Sequence, residues 1–218
     1  MQSPWDRSNS THALLAAFPA RMSGNVQRVV SIIPGAQYPP TGTFAVAVQG
    51  ETVSIPYRIY SEELDPSLER ALTGAQRVIA RCLYSRHHDG YVRQRNLKLL
   101  LDSMEPWVAP FVMQLAGEYV LEILETICQG LGGLAVPGSV ERRLYGEFIV
   151  QNPGFFASTE RRVVSYWTCY YRRKYPEFGR YPGSELMEAF RAAASERQGS
   201  RWPRNTPPPF AGMFDRSA

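Results

Sequence analysis

Lysine is almost missing from this sequence: Lys98 and Lys174 are the only lysines among 24 basic residues. Arginine therefore carries nearly all the positive charge, and its planar fork suits carboxylate and phosphate partners better than a point charge does. Cysteine is equally scarce. Cys82, Cys128 and Cys169 stand far apart without a Cys-x-x-Cys spacing, which excludes a disulfide framework and a zinc knuckle and predicts buried, reduced thiols. Long apolar runs are lacking too, for Ala13 to Phe18 is short and no window approaches the ~20 residues of a membrane span. A soluble cytoplasmic protein without membrane contact is the expectation. No Gly-x-Gly-x-x-Gly, phosphate loop or Gly-x-Ser-x-Gly elbow occurs, so no cofactor is expected.

What is present suffices for a real core: 44% of the 218 residues are hydrophobic and 12% aromatic. Residues 1–25 read as a flexible N-terminus, with Met22 as an alternative start. Val26 to Ile33 reads as a short strand on its β-branched content. Phe44, Val46 and Val48, then Val53, Ile55, Tyr57 and Ile59, alternate as a β-hairpin with Gly50-Glu51 at its turn. Pro56 confines the second strand to an edge or a bulge.

Helical periodicity follows. Thr73-x-x-Gln76 fits a capping box, Asp89 fits the cap of the next helix, and Gly90 fits a left-handed C-cap. Pro110 requires a third helix to begin near Ala109 or to bend there; from Phe111 to Ile127 it carries a broad apolar face. Further helices are predicted over 139–150, 159–174 and 184–196. The fold class is therefore α+β, predominantly α-helical, with about six helices packed on a small antiparallel hairpin. One domain spans 26–197, and 198–218 reads as a disordered proline-rich tail in which Trp202, Phe210, Met213 and Phe214 are candidate partner anchors.

Asp89-Gly-Tyr-Val-Arg-Gln-Arg-Asn with Pro106-Trp-Val-Ala-Pro-Phe is similar to one HEAT-repeat hairpin, without a second copy. The wider set Arg86-His-His-Asp-Gly-Tyr-Val-Arg93, Gly117-Glu-Tyr-Val120 and Ser165-Tyr-Trp-Thr-Cys-Tyr-Tyr-Arg172 resembles an uncharacterised family of bacterial proteins. That resemblance implies no activity.

Three groups of residues are candidates for chemistry. His87-His88-Asp89 invites a metal-dependent hydrolase, but the ligand set is incomplete, so no metal is expected; a helix-corner cap with exposed, cationic imidazoles is the structural alternative. Glu118, Glu122 and Glu125 recur at helical spacing and are expected to form an ion-pair seam with Arg86, Arg93 and Arg95. The segment from Arg161 to Arg180 interleaves Arg161, Arg162, Arg172, Arg173, Lys174 and Arg180 with Tyr166, Trp167, Tyr170, Tyr171 and Tyr175. Arg162, Tyr166, Tyr170, Arg172, Arg173 and Lys174 form the candidate partner-binding set, although Val163, Trp167, Tyr170 and Tyr171 also fit a core stripe. The function expected is a non-enzymatic interaction or adaptor protein that binds a protein partner, with nucleic acid as the alternative.

Overall fold

Residues 7–36 and 38–208 are described by a computed structural model of the chain. They are predominantly helical, with ten α-helices and one two-stranded antiparallel sheet among the described residues. Six helices were expected. The surplus comes from the start of the chain and from helices that break where periodicity alone runs on. The chain divides into two units, Met1–Val112 and Met113–Ala218, where the sequence led us to expect one domain.

The first unit begins with helices, not with a loose arm and a strand. α1 (Arg7–Leu15) and α2 (Ser23–Ile32) flank a short 3-10 turn. Val26 and Val29 are buried one turn apart, the spacing of a helix face. Tertiary packing thus overrides the β-branched preference. Phe18, between the helices, stacks on Phe111 at 5.3 Å and meets the edge of Trp107 at 5.8 Å.

β1 (Thr41–Val48) and β2 (Glu51–Arg58) then pair in the register Phe44↔Ile55 and Val46↔Val53. The connecting residues are Gln49 and Gly50, both at positive φ, which is the two-residue geometry matching strand twist. The turn thus sits one residue earlier than the sequence suggested. Phe44, Val46, Val48, Val53 and Ile55 are all buried, so one face of the hairpin packs inward. With only two strands, Pro56 lies on an edge as expected.

α3 (Pro66–Arg70) is followed by α4 (Gly74–Tyr84), which opens on the expected capping box: Gln76 N–H donates to Thr73 Oγ1 at 3.3 Å, and Thr73 N–H donates to Gln76 Oε1 at 3.1 Å. Asp89 Oδ1 accepts from Tyr91 N–H at 2.7 Å and so caps α5 (Gly90–Lys98). Gly90 is not a left-handed cap. It is the first residue of α5, and α4 ends at Ser85 in right-handed geometry. α6 (Ala109–Ala116) starts where Pro110 requires.

The second unit is a helical layer. α6 ends at Ala116, and α7 (Leu121–Gly130) begins only after a turn. α8 (Val140–Gln151) and α10 (Pro182–Gln198) pack so closely that a Cβ on Gly146 would lie 2.4 Å from the Ala193 carbonyl oxygen. α9 (Pro153–Tyr166) starts with proline at its first turn and runs into a π-helical segment, Trp167–Tyr171. Tyr145, Phe156, Val163, Tyr181, Met187 and Phe190 form its buried centre.

Beyond α10 the chain is packed through residue 208. Trp202 and Thr206 are buried, and Trp202 N–H donates to Ser195 Oγ at 2.9 Å. Disorder expected from residue 198 onward therefore does not describe 198–208. Phe210, Met213 and Phe214 lie outside the described residues.

Candidate interaction face

The π-helical segment decides what faces outward at the end of α9. Trp167–Tyr171 closes its hydrogen bonds five residues on rather than four, which widens the turn, so the side chains after Trp167 rotate away from the stripe that an α-helix would continue. Val163 stays buried as expected, but Tyr170 turns out to be 66% exposed and Trp167 and Tyr171 only half-buried. The expected core stripe ends at Val163.

Tyr170 instead joins two other tyrosines. Its ring centroid lies 6.2 Å from Tyr166 and 6.1 Å from Tyr119, and Tyr119 lies 5.8 Å from Tyr166. Tyr119 is 50% exposed. It stands in the turn between α6 and α7, held there by the Tyr171 hydroxyl, which donates to its carbonyl oxygen. Burial raises the Tyr171 pKa, and that carbonyl-anchored hydroxyl stays protonated. Nothing in the periodicity around Tyr119 signalled this, because the contact links residues 119 and 170 across the fold.

Three cations follow Tyr166 and Tyr170 along the chain. Arg172 places its guanidinium over the Trp167 ring at 5.6 Å, and Lys174 places its ammonium over Tyr175 at 5.3 Å. Arg172, Arg173 and Lys174 are exposed and have no carboxylate partner among the described residues. Arg162 is different: it is half-buried and donates to Gln114 Oε1 and Thr159 Oγ1, both at 3.0 Å. Gly117 makes room for it, since a Cβ there would lie 3.0 Å from Arg162 Nε. Of the six partner-binding candidates, then, Tyr166 and Tyr170 meet, Arg172, Arg173 and Lys174 are exposed on the same segment, and Arg162 turns inward. Arg180 is exposed and paired with Glu177 at 3.6 Å.

A second aromatic group lies beneath this surface. Tyr181 is fully buried, stacks on Tyr171 at 5.4 Å and packs against Tyr175 and Phe178. A Cβ on Gly183 would lie 2.6 Å from the Tyr181 ring, so only glycine admits that ring.

The histidine corner is structural, and not in the way expected. His87 is buried rather than exposed; its Nε2–H donates to the Ser61 carbonyl at 2.9 Å, and its Nδ1 accepts from Asp89 N–H at 3.1 Å. Burial holds its pKa below the ordinary value, so the ring is neutral rather than cationic. His88 stacks on Tyr60 at 5.4 Å. Both His87 nitrogens and the Asp89 carboxylate are occupied. Among the described residues, no three His, Cys, Asp or Glu side chains are grouped to hold a metal ion.

The glutamate ridge is divided. Glu118 is buried in the turn after α6, while Glu122 and Glu125 stand on α7, so the three do not share one helix. Arg95 pairs with Glu63 on the surface of the first unit. Arg93 NH1 donates to the carbonyls of His87 and His88 at 2.9 and 2.8 Å, and the buried Arg86 donates to the Tyr57 carbonyl at 3.4 Å. The thiols divide as well. Cys82 is buried, Cys128 is half-buried with its pKa pushed up to about 11 by burial, and Cys169 is exposed between Thr168 and Tyr170.

A cavity of about 450 Å³ opens in the first unit beside Ser10, Ser31, Tyr38, Pro40, Tyr60 and Ser61. Among the described residues its lining offers hydroxyls and apolar surface and no charged side chain. No described helix is long and apolar enough to cross a membrane.

The chain matches no family model, no curated protein and no solved structure.

Proposed function

We propose that this protein is a non-enzymatic interaction module whose second unit grips an acidic macromolecule through Tyr119, Tyr166, Tyr170, Arg172, Arg173 and Lys174. The observation that carries the reading is the coincidence of an exposed tyrosine cluster with three cations that have no carboxylate partner among the described residues. Large aromatic rings and arginine supply most of the energy of recognition surfaces, and free cations on one border set the sign of the partner. Support for a binding role over hydrolysis at the histidine corner comes from His87, whose two ring nitrogens are both engaged by backbone groups.

The test compares two charge reversals of equal size in the full chain. Arg172→Glu/Arg173→Glu/Lys174→Glu alters the face, and Arg28→Glu/Arg70→Glu/Lys98→Glu alters exposed positions in the first unit. Titration with a polyglutamate peptide and with an oligonucleotide reads binding. The first variant should lose binding to whichever probe the wild type takes, and the second should keep it. Equal loss in both would reduce the effect to net charge and overturn the assignment.

A further inference from the structure

We infer that the acidic partner is single-stranded nucleic acid, with bases stacked on Tyr119, Tyr166 and Tyr170 and phosphates held by Arg172, Arg173 and Lys174. This rests on the interaction face just proposed and narrows its partner.

Ser165, Thr168 and Cys169 are exposed beside the tyrosines, and all three are small or polar. Among the described residues of the second unit, the exposed large apolar ones are Tyr119, Tyr170, Val136 and Val140, so no aliphatic side chain of the 161–180 segment is among them. A protein partner's hot spot asks for a desolvated pocket ringed by apolar contacts. A base asks only for a π-face, because every base has one of its own. Three rings whose centroids lie 5.8 to 6.2 Å apart, tilted 33° to 60° to one another, offer faces in several directions over a short span. That arrangement suits bases splayed from a flexible strand, and a duplex keeps its bases stacked on each other.

The cations fit the same partner. Arg172 lies over Trp167 and Lys174 over Tyr175, and with Arg173 they are exposed within four residues of Tyr170 in the chain, so their donors face solvent on the same segment as two of the stacking rings. Guanidinium donors match phosphate oxygens in pairs. Backbone neutralisation by such groups is independent of base sequence, so the face should prefer single strands over duplex without reading a sequence. Glu122 lies near the Tyr171 hydroxyl, and Glu177 pairs with Arg180; these carboxylates mark where a strand would be repelled.

The experiment is fluorescence anisotropy of the full chain with a labelled 12-nucleotide oligouridine, repeated at several salt concentrations. Duplex of equal length and a polyglutamate 12-mer are the comparisons. Three phosphate contacts give a log–log salt slope of about −2. Arg172→Gln/Arg173→Gln/Lys174→Gln should flatten that slope, and Tyr170→Leu or Tyr166→Leu should weaken binding about tenfold, as loss of one stacked base does. Tyr170→Phe should restore binding, and since it keeps the ring it separates stacking from folding. Binding of the peptide but not of oligouridine would overturn the nucleic-acid inference and leave the interaction face standing. Equal affinity for duplex, or Tyr170→Leu binding like wild type, would also overturn it. Binding of neither probe would overturn both readings.

Discussion

At the scale of single residues, His87 and Arg93 bind backbone groups, and substitutions at them have signed consequences. His87 is kept neutral by burial, with both ring nitrogens engaged. The unfolded chain takes up a proton near the ordinary value of 6.5, whereas the folded chain resists it. Stability is therefore complete above that pH and falls as pH drops from 6.5 toward the lower native value. Urea midpoints measured from pH 7.5 down to pH 5 should show the fall in the wild type and a flatter profile in His87→Gln. Arg93→Ala strips a charged donor from two buried carbonyls and should cost roughly 2–3 kcal/mol, read as a lower Tm. Gly183→Ala drives a methyl group into the Tyr181 ring and should cost about 1–3 kcal/mol in urea unfolding. The caps at Thr73 and Asp89 were legible in the sequence because capping is local: three residues and two hydrogen bonds settle it. The state of His87 was not legible, because Ser61, which buries and binds it, comes from another part of the chain.

At the scale of elements, the main departure from the expected picture is the segment after α10. A proline-rich stretch without periodicity reads as disorder, yet residues 201–208 are fixed by charge. Glu160 is fully buried and pairs with Arg191, which also donates to Thr206 Oγ1 at 3.0 Å; Asn205 Nδ2 donates to Glu160 Oε2 at 2.7 Å. Arg204 closes on Glu188 through both terminal nitrogens. No single-residue pattern announces a network that ties the tail to residues 15 to 45 positions away. Glu160→Gln leaves the buried Arg191 with Glu188 as its remaining carboxylate partner and should cost roughly 1.5–3 kcal/mol, the worth of a charged hydrogen bond. Trypsin should then cut after Arg201 and Arg204 faster than in the wild type. Burial pushes the Glu188 carboxyl up, but hydrogen bonds from Arg204 and Arg191 outweigh it, so its pKa ends below the ordinary 4.5. The stability it contributes is present above 4.5 and is lost as pH falls through the native value, so acid should expose the same cleavage sites.

At the scale of the whole molecule, the hairpin and the predominance of helix were readable from periods of two and 3.6, but the division into two units was not. That division falls inside α6, within an apolar run that periodicity treats as uninterrupted. The interaction face was half legible. Composition marked 161–180 as basic and aromatic, while the choice between core and surface depended on a π-turn that composition does not reveal. Tyr119 enters only through the fold. If the proposal is right, an acidic macromolecule meets the protein at this face and at no other. Hydrogen–deuterium exchange of the full chain with and without saturating oligouridine locates the contact. Slower exchange should be confined to peptides covering 117–121 and 161–180; protection centred on the first unit, with these peptides unchanged at full occupancy, would refute it.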